Sequence, residues 1–156
     1  MLITIMSIWI EVTGNYQWQL RLSGTMGLNS PVNTRYKNML CKINNGDIVL
    51  HHITTQRSEK KELASSIVGI SKVKTKMQIL SKLLVDLEET TGFPIPIRFK
   101  EYSKIENPSD NFKFLIHTNL QKYIFEIDKS DFEKILQIKK ENVSYFKANK
   151  NYRNFI

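Results

Sequence analysis

The alternation of apolar and polar positions divides the chain into short strands, loops and a few helical stretches. Residues 2–12 are almost continuously apolar and β-branched, the pattern of a strand covered on both faces, and Gly14 and Asn15 close it. A short helix or turn capped by Asn15 is expected over residues 16–22, a loop over 23–32, and one or two helical turns over 34–43. Asn44, Asn45 and Gly46 form a turn signal that leads into a strand at 48–53. The charged residues 56–63 read as a solvated hairpin loop before a strand at 67–73, in which Gly69 marks a bulge or a close backbone approach. Residues 76–89 predict the clearest helix, with Met77, Leu80, Leu83, Leu84 and Leu87 on one face, ended by Gly92, Pro94 and Pro96. Residues 97–102 alternate as a half-buried strand, Asn107 and Pro108 start a helix at 110–115, and 123–127 is a last strand. The run Ser130, Asp131, Phe132, Glu133 is a capping box that opens a helix to about Lys139. The expected class is α+β: a mixed β-barrel of five or six strands with short peripheral helices, its strand order unreadable from pattern.

Composition narrows the class. At 156 residues, with 41% hydrophobic and 24% charged positions, the chain is expected to form one core and a single domain over 1–156. Cys41 is the only cysteine, which excludes an intramolecular disulfide framework and a CxxC zinc site and fits a reducing, cytoplasmic compartment. The apolar stretch 2–10 has no basic leader or cleavage site and is too short for a bilayer, so no membrane partner is expected. A net charge of +8 favours a polyanionic partner such as nucleic acid, because neutralised phosphates release counterions; a lysine-rich bias without any ligand is an equal reading.

Four stretches carry a resemblance. Residues 8–13 are a strand bearing Trp9; Gln17 and Trp18 precede Met26, Gly27 and Leu28; Gly46 and Asp47 turn into the strand 48–50, with 67–70 as the next one. The fourth is Ile95, Pro96, Ile97, Arg98 and Phe99, and Ser130 to Phe132 follows later. In this order and spacing the chain resembles the EVE domain family, which belongs to the PUA-like superfamily and is related to YTH domains. The family's counterparts are Asn-Trp, Trp-Gly-Val, a Gly-Asp turn, Tyr-Pro-Tyr-Arg-Val and Ser-x-Asp-Tyr. The resemblance implies a PUA-like barrel with an aromatic pocket for a flipped or modified base; the family's link to defence, restriction and RNA modification is analogy.

Carried onto this sequence, the base pocket comprises Gln17, Trp18, Met26, Gly27, His52 and Pro96, and the phosphate-binding set comprises Arg98, Lys72, Lys74 and Lys76. Trp18 is a cage wall or a core residue, whereas Trp9 belongs to the core. Met26 stands where the family has a Trp and cannot stack as a rigid plane, so Tyr16, Tyr36 or Phe93 supplies the wall or specificity is looser. Gln17 keeps an amide for a base edge. His51 and His52 point to opposite faces of one strand and cannot share a metal side by side; a satisfied structural histidine is the plainer reading of either. Arg98 grips a phosphate or pairs with a carboxylate such as Asp47. Lys72, Lys74 and Lys76 share one strand face as a phosphate stripe or are a solvated edge. The basic, aromatic tail 140–156 binds single strands or folds back on the barrel.

No nucleophile elbow, phosphate loop, carboxylate pair or HxxxH motif occurs, so no catalysis, metal or cofactor is expected. The expected function is a non-catalytic nucleic-acid-binding module that accommodates a flipped or modified base. The alternatives are an RNA-binding PUA-like module without such selectivity and a protein-interaction module.

Overall fold

The structure is a computed structural model that describes residues 6–13, 28–30, 41–54, 65–79, 82–117, 124–150 and 152. Six strands, β1 (Ile8–Thr13), β2 (Leu28–Ser30), β3 (Ile48–Ile53), β4 (Ser66–Ile79), β5 (Lys82–Arg98) and β6 (Ile124–Ile127), form one sheet in the order β2-β5-β4-β3-β1-β6. The two most continuously apolar strands sit inside it: β1 pairs with β3 in parallel, and every other pairing is antiparallel. All of β3 is buried, as expected where both faces are covered. Among the described residues the sheet is open, with β2 and β6 at its two edges, in place of the closed barrel expected.

Among the described residues four helices follow β5: α1 (Phe99–Tyr102), α2 (Asp110–His117), α3 (Lys129–Gln137) and α4 (Lys140–Ala148). They pack on one face, where Tyr102, Phe112, Leu115, Phe132, Ile135 and Phe146 meet Ile8, Ile10, Ile48, Leu50, Ile67 and Ile97. The opposite face carries a second cluster, Trp9, Ile43, Val49, Ile53, Val68, Val73, Val85, Leu87 and Ile124. Asp131 joins the helices by accepting from the backbone N–H groups of Ser109 (2.9 Å) and Asp128 (3.0 Å). Helix α3 therefore starts with Asp131 at its third position, where the sequence pattern placed Glu133.

The helix expected over 76–89 is a β-hairpin, made by the end of β4 and the start of β5. Its residues fit both periods, because Leu83, Val85 and Leu87 alternate as in a strand while Met77, Leu80, Leu83, Leu84 and Leu87 recur at helical spacing. The ladder decides between them: residues 76–79 of β4 pair with 82–85 of β5, residues 83–85 also pair with β2, and Val85 and Leu87 are buried. The expected strand 97–102 also differs. Strand β5 ends at Arg98 and α1 begins at Phe99, where Glu101 accepts from the Arg98 N–H at 3.4 Å and Tyr102 is fully buried. Pro94 and Pro96 fall within β5, in an excursion between Gly92, opposite Gly69, and Ile97, opposite Ile67. There the Asn142 side chain receives the Ile95 N–H (3.0 Å) and donates to the Ile95 carbonyl (2.8 Å), so the backbone the prolines remove from the ladder is still satisfied.

The C-terminal region folds back: Phe146 and Tyr152 lie in the helix-side core, while Tyr145 is exposed. Within the loop expected over 23–32, residues 28–30 form β2, paired with β5; the expectations for residues 16–22, 23–27, 31–40 and 56–63 lie outside the described residues.

Candidate nucleic-acid interface

Ladder register sets one row across four strands. Thr13 of β1 stands opposite Ile53 of β3, Ile53 opposite Ser66 of β4, and Ser66 opposite Arg98 of β5. The chain leaves the sheet at this end after Thr13 and after Ile53, and it re-enters at Ser66. Segment 14–27 therefore follows Thr13 here and precedes Leu28, which is paired with Val85 toward the other end of β5, whereas residues 54 and 65 bracket segment 55–64 at this end, where the exposed Arg98 also lies. Gln17, Trp18, Met26 and Gly27 belong to the first of these segments and lie outside the described residues.

His52 and Pro96 also belong to this end, with different surroundings. His52 is buried on the helix side, where its Nδ1 accepts from the Tyr102 hydroxyl at 2.7 Å and the edges of Phe99 and Tyr102 enclose its ring. Burial pushes the His52 pKa down to about 3 and the Tyr102 pKa well up, so a neutral imidazole meets a protonated phenol. His52 supports the sheet end from the helix side, held by Tyr102. Pro96 is half-buried within the β5 excursion. Next to Arg98, Glu101 pairs with Lys139 at 2.8 Å, which together with backbone contact to Arg98 holds its carboxyl below the usual range despite some desolvation.

The three lysines do not join this end. Lys72 lies opposite Ile48, at the other end of β3, and Ser66 and Lys72 are six strand positions apart, roughly 20 Å. Nor do they share a face. Lys74 is the extra residue of a bulge, since Val73 faces Leu87 and Thr75 faces the adjacent Asp86. Lys72 then lies over the Tyr152 ring on the helix side (5.6 Å), whereas Lys76 is paired with Val85 of the opposite cluster and donates to the Cys41 carbonyl at 2.6 Å. The expected stripe is broken by one inserted residue.

Gly46 and Asp47 also lie at that far end. Gly46 has φ +89°, a conformation glycine adopts without strain. The turn it allows aims Asp47 inward, where its carboxylate accepts from the N–H groups of Ser7 (3.0 Å) and Asn44 (2.8 Å) and from Trp9 Nε1 (3.0 Å). Asp47 and Trp9 are both about 1% exposed, so Asp47 is a structural anchor for Trp9 and does not pair with Arg98.

Sequence reasoning missed one constellation. Glu11 of β1, His51 of β3, Ser71 of β4 and Thr90 of β5 form a hydrogen-bonded chain across four strands. Glu11 Oε1 lies 2.9 Å from His51 Nδ1, His51 Nε2 lies 2.8 Å from Ser71 Oγ, and Ser71 Oγ lies 2.9 Å from Thr90 Oγ1. The order carboxylate, imidazole, hydroxyl is that of nucleophilic triads, but here Ser71 is fully buried and lies within a strand. The four residues are scattered through the sequence, so no spacing rule finds them. Among the described residues no group of three or more His, Cys, Asp and Glu is arranged to hold a metal, and no helix is long and apolar enough to cross a membrane.

The positive charge is unevenly placed. Of the 23 Lys and Arg, 15 are in described residues, as are 13 of the 15 Asp and Glu, which leaves +2 of the net +8 there. The remaining excess comes from residues such as Arg21, Arg35, Lys37, Arg57, Lys60 and Lys61, in the segments 14–27, 31–40 and 55–64.

No protein-family model matches the chain, and no curated protein matches it. Solved structures do. Protein Atu2648 from Agrobacterium tumefaciens is similar with a TM-score of 0.63 at 14% identity, over 85% of this chain and 92% of that one. Rpa0253 from Rhodopseudomonas palustris gives 0.61 at 10% identity, over 83% and 90%. The N-terminal domain of McrB from Staphylothermus marinus gives 0.56 at 15% identity, over 82% and 92%. The chain shares the fold of these proteins, and a mixed sheet with short helices is compatible with the PUA-like fold expected.

Proposed function

We propose that the protein is a non-catalytic nucleic-acid-binding module that uses the sheet end marked by Arg98 and accommodates a flipped or modified base there. The observation that carries this reading is the register row Thr13, Ile53, Ser66 and Arg98. Leu28, which follows Met26 and Gly27, is paired with Val85 toward the other end of β5. The chain leaves the Arg98 end after Thr13, four residues before Gln17, and after Ile53, four residues before Arg57, and it returns at Ser66 behind Lys60 and Lys61. A phosphate backbone is neutralised by such a cluster, and a base stacks on the Trp18 indole while Gln17 meets its edge. Pro96 adds an apolar surface beside Arg98. EVE-type recognition within the PUA-like fold rests on the motifs around Trp9, Trp18, Gly46 and Arg98.

The test is a set of anisotropy titrations with labelled single- and double-stranded DNA and RNA, methylated and unmodified, each at several salt concentrations. Binding is expected to weaken linearly with the logarithm of salt, and Arg98→Ala to reduce that slope by about 1. Trp18→Ala is expected to remove preference for the modified base and leave the salt-dependent part in place. Failure of the wild-type protein to bind any of these oligonucleotides at low salt would refute the reading; cleavage of them would refute its non-catalytic part.

A further inference from the structure

Helix α1 buries Tyr102 and packs Phe99 against the helix-side core, which leaves Lys100 exposed and Glu101 half-buried. Glu101 links two parts of the chain there. Its Oε1 accepts from the Arg98 N–H at 3.4 Å, and its Oε2 takes the Lys139 ammonium at 2.8 Å. Lys139 immediately precedes α4, so one carboxylate brings the junction of α3 and α4 beside the end of β5. Both side chains of the pair are 28% exposed, and a pair so placed contributes only about 0–1 kcal/mol to stability. It uses one of the three N–H donors of the ammonium. The Lys139 hydrogen bond, aided by the Arg98 N–H and the charges of Lys139 and Lys100, holds the Glu101 carboxyl below its usual range despite some desolvation. The surroundings of Glu101 are therefore cationic.

Charge is concentrated at this place. Segments 98–104 and 139–141 hold Arg98, Lys100, Lys104, Lys139 and Lys140 against Glu101 and Glu141, five basic residues to two acidic. The rest of the described residues hold 10 basic to 11 acidic, so the positive balance of the described fold resides in these two segments. We propose that Arg98, Lys100 and Lys139 form a strip that binds the sugar-phosphate backbone of a nucleic acid, carrying it from the Arg98 sheet end across α1 to the start of α4. Such contacts neutralise phosphates without regard to base, so the strip supplies affinity and direction, not sequence selectivity. The strip lies on the helix side of the sheet end, roughly 20 Å along the strands from Lys72.

This inference rests on the nucleic-acid reading above, and the experiment keeps the two apart. Wild-type protein, Lys100→Ala, Lys139→Ala, their double variant and Lys113→Ala are titrated with labelled oligo-dT, single-stranded RNA and duplex DNA at several salt concentrations. Thermal melts confirm that each is folded, and the exposed Lys100 provides a test that does not disturb the Glu101 pair. Lys113 is the control for charge alone: it is exposed on α2, which packs on β6, four strands away from β5. The slope of log affinity against log salt is expected to fall by about 1 in each single strip variant and by about 2 in the double variant, with the sequences weakened alike. Lys113→Ala is expected to keep the wild-type slope. Acetylation of the wild-type lysines, read by mass spectrometry, is expected to be slowed by bound oligonucleotide at Lys100 and Lys139 and not at Lys113. A double variant with the wild-type slope, or an equal fall in Lys113→Ala, overturns the strip and leaves the nucleic-acid reading standing. Absence of wild-type binding to any of the three ligands removes both.

Discussion

Asp47→Ala tests the physical account of the far sheet end. The substitution leaves three N–H groups without their acceptor, those of Ser7, Asn44 and the Trp9 indole. The indole is enclosed by the cluster around Val49 and Val73, so water cannot replace the carboxylate there and the cost is about 1–3 kcal/mol. The two backbone groups are only partly buried and recover some hydration, about 0.5–1.5 kcal/mol each. The expected loss is therefore roughly 3–5 kcal/mol, a large share of the 5–15 kcal/mol typical of a folded domain. Urea denaturation followed by tryptophan fluorescence reads it as a midpoint lowered by about 1.5–2.5 M at an unchanged slope near 2 kcal/mol/M. Asp47→Asn keeps one carbonyl oxygen and is expected to lose about half as much. In a cycle with Trp9→Phe, the double variant should be less destabilised than the sum of the singles by about 1 kcal/mol. An Asp47→Ala loss below about 1 kcal/mol, or strict additivity with Trp9→Phe, would show that the carboxylate does not hold the indole.

Two further outcomes follow from the same reasoning. The folded pKa of His52 is lowered by burial to about 3, below its unfolded value near 6.5, so its contribution to stability is present above pH 6.5 and is lost as pH falls toward 3. The loss is about 1.4 kcal/mol per pH unit, roughly 3 kcal/mol by pH 4.5. Urea titrations of wild type and His52→Gln should diverge in that window, and parallel curves would disprove the assignment. Tyr152→Phe removes the donor to the Glu89 carbonyl, with an expected cost of about 1 kcal/mol and a melting temperature lower by about 2–4 °C, read by calorimetry.

Much of the scaffold was legible because single-residue signals agree with the ladder. The strand after Gly46, the buried indole of Trp9, the last strand and the helix after Asp128 all follow from local pattern. The hairpin of β4 and β5 did not, since Met77, Leu80, Leu83, Leu84 and Leu87 satisfy a helical stripe while Leu83, Val85 and Leu87 alternate as in a strand; the pairing of β5 with β4 and β2 supplies the missing information. Bulges are the second source of error. One inserted residue at Lys74 separates Lys72 from Lys76, and another at Glu89 turns Thr90 toward Ser71. Both changes of face are invisible to a period of two. The sheet end at Arg98 depends on register across four strands, which no sequence spacing encodes.

The position of β1 between β3 and β6 also governs how the chain can be made. Strand β1 gains its parallel partner early, but the strand on its other side, 124–127, is translated long afterwards. At 5–20 residues per second a ribosome leaves that apolar edge open for roughly 4–15 s after β3 has appeared. During this interval the unpaired edge of Ile8, Trp9 and Ile10 is a template for any neighbouring nascent strand until residues 124–127 arrive to cover it.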